Sequence, residues 1–204
     1  MSQIKLKHSG GNSVIIAAPD SNPASDRTLK LPSDGDGTIL TTNSSVGKIL
    51  QVVHVTKTDA FSTTSTTYTD VTGMAASITP TSASSDIILR FDLQLGGSFN
   101  LYAHAKCQRL IAGGSYADLQ IGDAVGSHER ANMNMDTDVS YGHVKGYNNS
   151  FSLKDSTHNT TSQITYKLVC HCTAGGTIYV NRYLNDSTNS TAGTSSVMLM
   201  EVAA

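Results

Sequence analysis

Cys170-His171-Cys172, within the run VCHCTAGGTIYV from Val169 to Val180, has residue types and spacing that invite metal or redox chemistry. Thiolate sulfur and imidazole nitrogen are ligands for zinc, and closely spaced thiols exchange disulfides. In QITYKLVCHC the pattern is also that of a strand. Ile164, Tyr166, Leu168, Cys170 and Cys172 share one face, and Thr165, Lys167, Val169 and His171 share the other. The three side chains of the motif therefore cannot converge. Two thiols about 7 Å apart on one strand face serve a soft metal only if a neighbouring strand brings further ligands. Cys107 is a candidate, but no spacing argument places it there. A zinc site shows paired short spacings in two places, and this chain has a single C-x-C. The expectation is a hairpin: Cys170 and Cys172 face a core as small hydrophobes, His171 faces away, and Thr-Ala-Gly-Gly turns the chain into the next strand.

Other chemistry finds less support. His8, His54, His104, His128, His143 and His158 share no i, i+4 or His-x-His spacing, so they read as surface or interface side chains. His104 and His143 are the two that would suit a trimer axis or a pH-sensitive contact. No G-x-S-x-G is present, and abundant serine makes any one serine uninformative as a nucleophile. Asp118, Asp123, Glu129, Asp136 and Asp138 read as solvated loop acids, since M-D-T-D lacks the ligand run of a calcium loop. LGGS, AGGS and AGGT follow strand patterns without opening helices, so they are turns and not phosphate cradles. No catalytic, cofactor-binding or metal residue is assigned, no cofactor is expected, and the chain reads as a non-enzyme.

The elements that must position these residues are strands. With 204 residues and 38% hydrophobic content, one core-bearing domain with a small appendage is expected. Charged residues are 15% and the net charge is -2, which offers no basic field for nucleic acid. The polar surface is Ser, Thr, Asn and Gly, a virion-like or extracellular composition. No apolar run is long enough for membrane insertion and MSQIKLKHSGG has no secretion-signal core, so synthesis in a cytoplasm is expected. Three cysteines are too few for a disulfide framework. The glycosylation-type triplets at Asn43, Asn159 and Asn189 read as by-products of Ser/Thr richness.

Residues 1–47 read as an anchoring arm, with the short bursts SVIIAA and TLKLP separated by the turn clusters PDSNPASD and PSDGDG. Residues 48–204 read as the β domain. KILQVVHVTKT alternates, with Ile49, Val53 and Val55 on one face and Leu50, Val52 and His54 on the other. In DIILRFDLQL, Ile87, Leu89, Phe91, Leu93 and Leu95 oppose Arg90, Asp92 and Gln94. Further strands are expected at Asn100 to Ile111, Ala117 to Ile121, Val139 to Tyr147, Ser150 to Leu153, Gln163 to Cys172, Thr177 to Leu184 and Ser196 to Val202. VGSHERANMNMD, in the stretch Ala124 to Asp138, breaks alternation and reads as a long loop. The fold class is all-β: an antiparallel two-sheet sandwich of jelly-roll type with an extended N-terminal arm.

RTLKLPSDGDGTILTTNSSVGKILQV resembles the leader of many tailed-bacteriophage virion proteins, in which an LPxxDG turn-strand unit precedes a β domain. YTDVTGMAASITPTSASSDIIL, RLIAGGS, SFSLKDSTHNTTSQITYKL, GGTIYVNRYLND and SSVMLMEV are similar to the β-rich domains of phage fibre and head- or tail-decoration proteins. The resemblance implies a virion structural protein: a short fibre, knob or capsid decoration with a trimeric jelly-roll-like domain. Its partners would be itself as a homotrimer and other virion proteins, capsid or tail, through residues 1–47. Trimer contacts would explain the two-faced apolar strands at Lys48 to Val55 and Ser196 to Val202, the alternative being that both strands lie centrally between the sheets of a monomer. A competing function is recognition of a host surface glycan through Gly122 to Asp138 and Tyr183 to Gly193, with Tyr141, Tyr147 and Tyr183 as platforms. A polysaccharide-degrading enzyme is the third.

Overall fold

The computed structural model describes residues 3–7, 9–11, 13–17, 48–98, 101–136, 147–173, 175–183 and 191–203, which fall into two units, 1–43 and 44–204. In the first unit β1 (Gln3–Lys7) and β2 (Ser13–Ala17) pair antiparallel, from Gln3 opposite Ala17 to Lys7 opposite Ser13. The expected burst TLKLP and its flanking turn clusters lie outside the described residues.

The second unit carries β3 (Ile49–Lys57), β4 (Phe61–Thr63), β5 (Thr69–Ile78), β6 (Asp86–Gly97), β7 (Tyr102–Ile111), β8 (Ala117–Asp118), β9 (Met133–Asp136), β10 (Tyr147–Asp155), β11 (Ile164–Cys172), β12 (Ile178–Val180) and β13 (Ser195–Val202). One sheet runs β3-β13-β6-β10, with β12 continuing beyond β13 along the same edge of β6 and β4 pairing β12. The other runs β5-β11-β7, and β8 and β9 both pair β7. Setting aside the short β4, β8 and β12 leaves eight strands. In chain order the first pairs the eighth, the second the seventh, the third the sixth and the fourth the fifth. That nested pairing, split alternately between two antiparallel sheets, is a jelly roll, the fold class read from the sequence.

Alternation drives the assembly. Ile87, Leu89, Phe91, Leu93 and Leu95 of β6 are buried, as are Ile164, Tyr166, Leu168, Cys170 and Cys172 of β11 and Val197 and Leu199 of β13. Each fully buried aliphatic side chain contributes about 1.5–3 kcal/mol. Polar knots lock the edges of this core. Asp155, fully buried, accepts Arg109 Nη1 at 2.8 Å through both carboxylate oxygens, and it also accepts Tyr166 Oη at 2.8 Å and the Thr157 amide at 2.9 Å. Glu201, also fully buried, accepts Gln51 Nε2, Ser85 Oγ, the Thr81 amide and Thr81 Oγ1.

Several expectations need correction. Gln51 is opposite Glu201 but Ile49 is opposite Val202, so Leu50 is an extra residue and the bulge reverses the facing of Ile49. Ile49 is therefore 54% exposed instead of joining Val53 and Val55. β3 and β13 lie in one sheet, so the alternative that they sit centrally between two sheets does not hold. β5 has no counterpart among the expected strands. Its register jumps from Ala75 opposite Lys167 to Asp70 opposite Val169, and Gly73 takes φ +81° there, so Val71 and Met74 both point inward at a spacing that is not a strand's. The long loop contains β9, paired to β7 from Tyr102 opposite Asp136 to Ala105 opposite Met133. The strand expected at 117–121 shrinks to Ala117–Asp118 and, of the one expected at 177–184, Ile178–Val180 is strand among the described residues 177–183, whereas the one expected at 150–153 lengthens to Tyr147–Asp155. Of the strand expected at 139–147, residues 139–146 lie outside the described residues.

The TAGG hairpin is also corrected. β11 and β12 belong to different sheets, so the segment from Thr173 carries the chain across the sandwich instead of folding it back on β11. Gly175 takes φ +82°, and a Cβ on Gly176 would overlap the side chain of the buried Leu101.

Candidate functional site

The outer face of the β5-β11-β7 sheet gathers the most chemistry. Antiparallel register sets His171 of β11 opposite His104 of β7, both pointing away from the core, with ring centroids 5.2 Å apart. The Tyr68 ring packs edge-on to His171 at 4.5 Å, and Lys106 Nζ lies 3.7 Å from the Tyr68 centroid. From the loop before β9, Glu129 Oε1 accepts Tyr68 Oη at 2.9 Å and stands 3.9 Å from His171 Nε2. All four ring nitrogens of His104 and His171 are buried and lack a hydrogen-bond partner. Burial, followed by the neighbouring His171, pushes the His104 pKa down and keeps its imidazole neutral. Burial and the Glu129 carboxylate push the Tyr68 phenol up.

Beside this cluster is a depression of ≈ 580 Å³, lined by Tyr102, His104, His128, Glu129, Asn132 and Asn134 among others. Its floor is the outward face of β7 and β9, where His104 sits opposite Asn134, and its wall is the loop preceding β9. Tyr102 is 51% exposed there. A smaller depression, ≈ 410 Å³, lies on the other sheet among Asp92, Gln94, Asn148, Asn149 and Thr194.

No protein-family model matches this chain, and no curated protein matches it. Solved structures of infectious bursal disease virus are similar to it. The Gx strain structure matches at TM-score 0.41 with 13% identity, over 83% of this chain and 41% of that one. The Gt strain structure matches at 0.39 with 13% identity, over 95% and 52%. T=1 particles derived from the same virus match at 0.41 with 15% identity, over 85% and 41%. This chain thus spans between 41% and 52% of the length of those chains.

Of the residues singled out in the sequence, His104, His171 and Glu129 come together in this cluster and the others are dispersed. Cys170 and Cys172 face the core and His171 the opposite face. Burial pushes the Cys107 and Cys170 thiols up to about 12 and also raises Cys172, so all three are thiols rather than thiolates at neutral pH. Among the described residues no three His, Cys, Asp or Glu side chains stand assembled as a cation cage. His54 and His128 are exposed. His158 is buried, its Nε2 2.7 Å from the Ser85 carbonyl oxygen, so it is a structural residue and not a surface one. His8, His143 and Asp138 lie outside the described residues. Asp118 is not a free loop acid: on β8 it pairs with Lys106 Nζ at 2.8 Å and accepts Gln108 Nε2 at 2.9 Å. Burial raises its carboxyl, but those hydrogen bonds outweigh it and hold the pKa low. Asp123 is an exposed loop acid as expected, Asp136 is exposed but ends β9 instead of lying in a loop, and Glu129 is exposed but engaged with Tyr68. Tyr68, Tyr102, Lys106 and Asn134 had no sequence signal, because their neighbours arrive from other strands.

Proposed function

We propose that this chain is a non-enzymatic structural component of a tailed-phage virion, a head or tail fibre knob or a capsid decoration, which works as a homotrimer and is anchored to capsid or tail proteins by residues 1–47. The observation that carries the proposal is an apolar row on the outer face of the β3-β13-β6 sheet. Register sets Val52 beside Met200 and Met200 beside Ile88, with Ile49 beside Val202 one step on. Ile49 and Val52 are each 54% exposed, and Ile88, Met200 and Val202 are half-buried. The outer face of an antiparallel sheet is ordinarily polar, and a contiguous apolar row is covered favourably by contact with other copies. The leader and strand phrases that resemble phage virion proteins supply the setting. Sedimentation of the full chain, alongside co-purification with particles, tests this. A trimer that dissociates in a Val52→Asp/Met200→Asp variant is expected. A chain that stays monomeric at high concentration and never accompanies particles refutes it.

A second reading, recognition of a host glycan, is favoured by the larger depression. Part of its lining comes from the anticipated segment Gly122 to Asp138, and it offers the exposed Tyr102 ring beside Asn134 and Glu129. An aromatic face with converging polar groups suits a sugar ring. Of the anticipated platforms, Tyr183 is half-buried, Tyr141 lies outside the described residues and Tyr147 begins β10. Binding of host polysaccharide that a Tyr102→Ala variant loses is the expected result, and a blank glycan array counts against this reading.

A further inference from the structure

We propose that His104 and His171, with Glu129 as third donor, bind one divalent transition-metal ion of the zinc class on the outer face of the β5-β11-β7 sheet. The two histidines occupy directly opposed positions on adjacent antiparallel strands, so the sheet fixes both backbones. Two imidazoles sharing a tetrahedral ion at Zn–N of about 2.0–2.1 Å have ring centroids roughly 5 Å apart. The observed centroid separation is 5.2 Å. The ring planes are inclined by 63°, so the pair is not stacked face to face, an arrangement that would point the lone pairs away from a common centre.

The ring nitrogens supply the second argument. A neutral imidazole has one N–H to donate and one lone pair to give. Neither ring finds a protein partner for either, although all four nitrogens are buried. Buried polar atoms in a folded protein ordinarily have partners. A cation accepting a lone pair from each ring removes half of that deficit. Nitrogen donors select zinc, copper or nickel over calcium and magnesium, which prefer oxygen.

The third donor stands near but not in place. Glu129 Oε1 is 3.9 Å from His171 Nε2 and occupied by Tyr68 Oη, and its side chain is 42% exposed. A rotation of this loop carboxylate closes the site and leaves a fourth position to water from the adjoining depression. This explains why no three-donor group is pre-assembled among the described residues. Lys106 is the opposing charge. Its ammonium is held over the Tyr68 ring and paired with Asp118 at 2.8 Å, so a carboxylate offsets it.

The test uses the full chain, stripped with chelator, titrated at neutral pH with zinc chloride alone, with cobalt(II) as a spectroscopic substitute. One ion per chain should bind with a dissociation constant below about 10 µM. Cobalt should give visible bands without the intense near-ultraviolet absorption of thiolate ligation. H104Q and H171Q should each weaken zinc at least about tenfold and E129Q should weaken it measurably, whereas H54Q and a C170A/C172A double variant should bind as the parent does. Metal-free melting curves of the glutamine variants, matching the parent, separate lost ligation from lost folding. Absence of stoichiometric binding overturns the proposal. So does binding that survives an H104Q/H171Q double variant, or binding that the cysteine pair abolishes. E129Q binding at parental strength removes Glu129 as the third donor.

Discussion

Replacing Asp155 tests whether the two sheets are tied together by the buried carboxylate. Asp155 is fully buried at the end of β10, whereas Arg109 and Tyr166 come from β7 and β11 of the opposite sheet. Asp155→Ala strands the Tyr166 hydroxyl without a partner and leaves the Arg109 guanidinium, whose side chain is 21% exposed, with only Thr157 Oγ1. Breaking a buried pair from one side costs about 3–5 kcal/mol. Tyr166→Phe deletes a single hydrogen bond to a charged acceptor and leaves Asp155 its other donors, so its cost is about 1.5–3 kcal/mol. With a urea dependence of about 1–3 kcal/mol per molar, Asp155→Ala moves the unfolding midpoint down by roughly 2 M. Circular dichroism at fixed protein concentration is the assay, because an assembling chain gains apparent stability with concentration. The Asp155→Ala/Arg109→Met double variant should cost less than the sum of its singles, since the second change removes a charge that the first left unpaired. A shift under about 0.5 M for Asp155→Ala, or strict additivity with Arg109→Met, refutes the account.

The same carboxylate sets an acid limit. Burial raises Asp155, but hydrogen bonds from Arg109, Thr157 and Tyr166 outweigh it; Glu201 is likewise raised by burial and lowered further by Gln51, Ser85 and Thr81. Both folded pKa values are depressed, so their stabilisation is complete above the unfolded values near about 4 and is lost as pH falls through the folded ones. Melting temperature should therefore fall below about pH 4, and Glu201→Gln should make that fall shallower. Gly96→Ala places a Cβ 2.6 Å from the Arg182 carbonyl oxygen, a backbone atom that cannot rotate away, so it should cost about 1–3 kcal/mol in the same urea assay.

β6 was legible because its apolar residues alternate without interruption from Ile87 to Leu95, and the facing of Cys170, His171 and Cys172 followed from the same rule. Alternation failed where the chain changes phase. Gly73 lets β5 insert extra residues opposite Leu168, and the bulge at Leu50 reverses Ile49; both are visible only in the register against a partner strand. MNMD of β9 is short and half polar, so its pairing with β7 left no apolar signature. The TAGG turn predicts a hairpin, but tight-turn residues do not tell whether the next strand joins the same sheet. The histidine cluster was invisible for a different reason. His104 and His171 meet across two strands, and the spacing of ligands along one strand says nothing about a neighbour that hydrogen bonding brings alongside.

The position of β13 has a consequence for how the domain forms. β3 and β6 do not pair with each other; β13 lies between them and bonds to both, although it is the last described strand in the chain. Until Ser195–Val202 inserts, both neighbours keep an open hydrogen-bonding edge, and the first sheet is two separate pieces. Closure therefore waits on a contact spanning almost the whole domain, which makes folding slow for its size and leaves the waiting edges open to the strands of other copies.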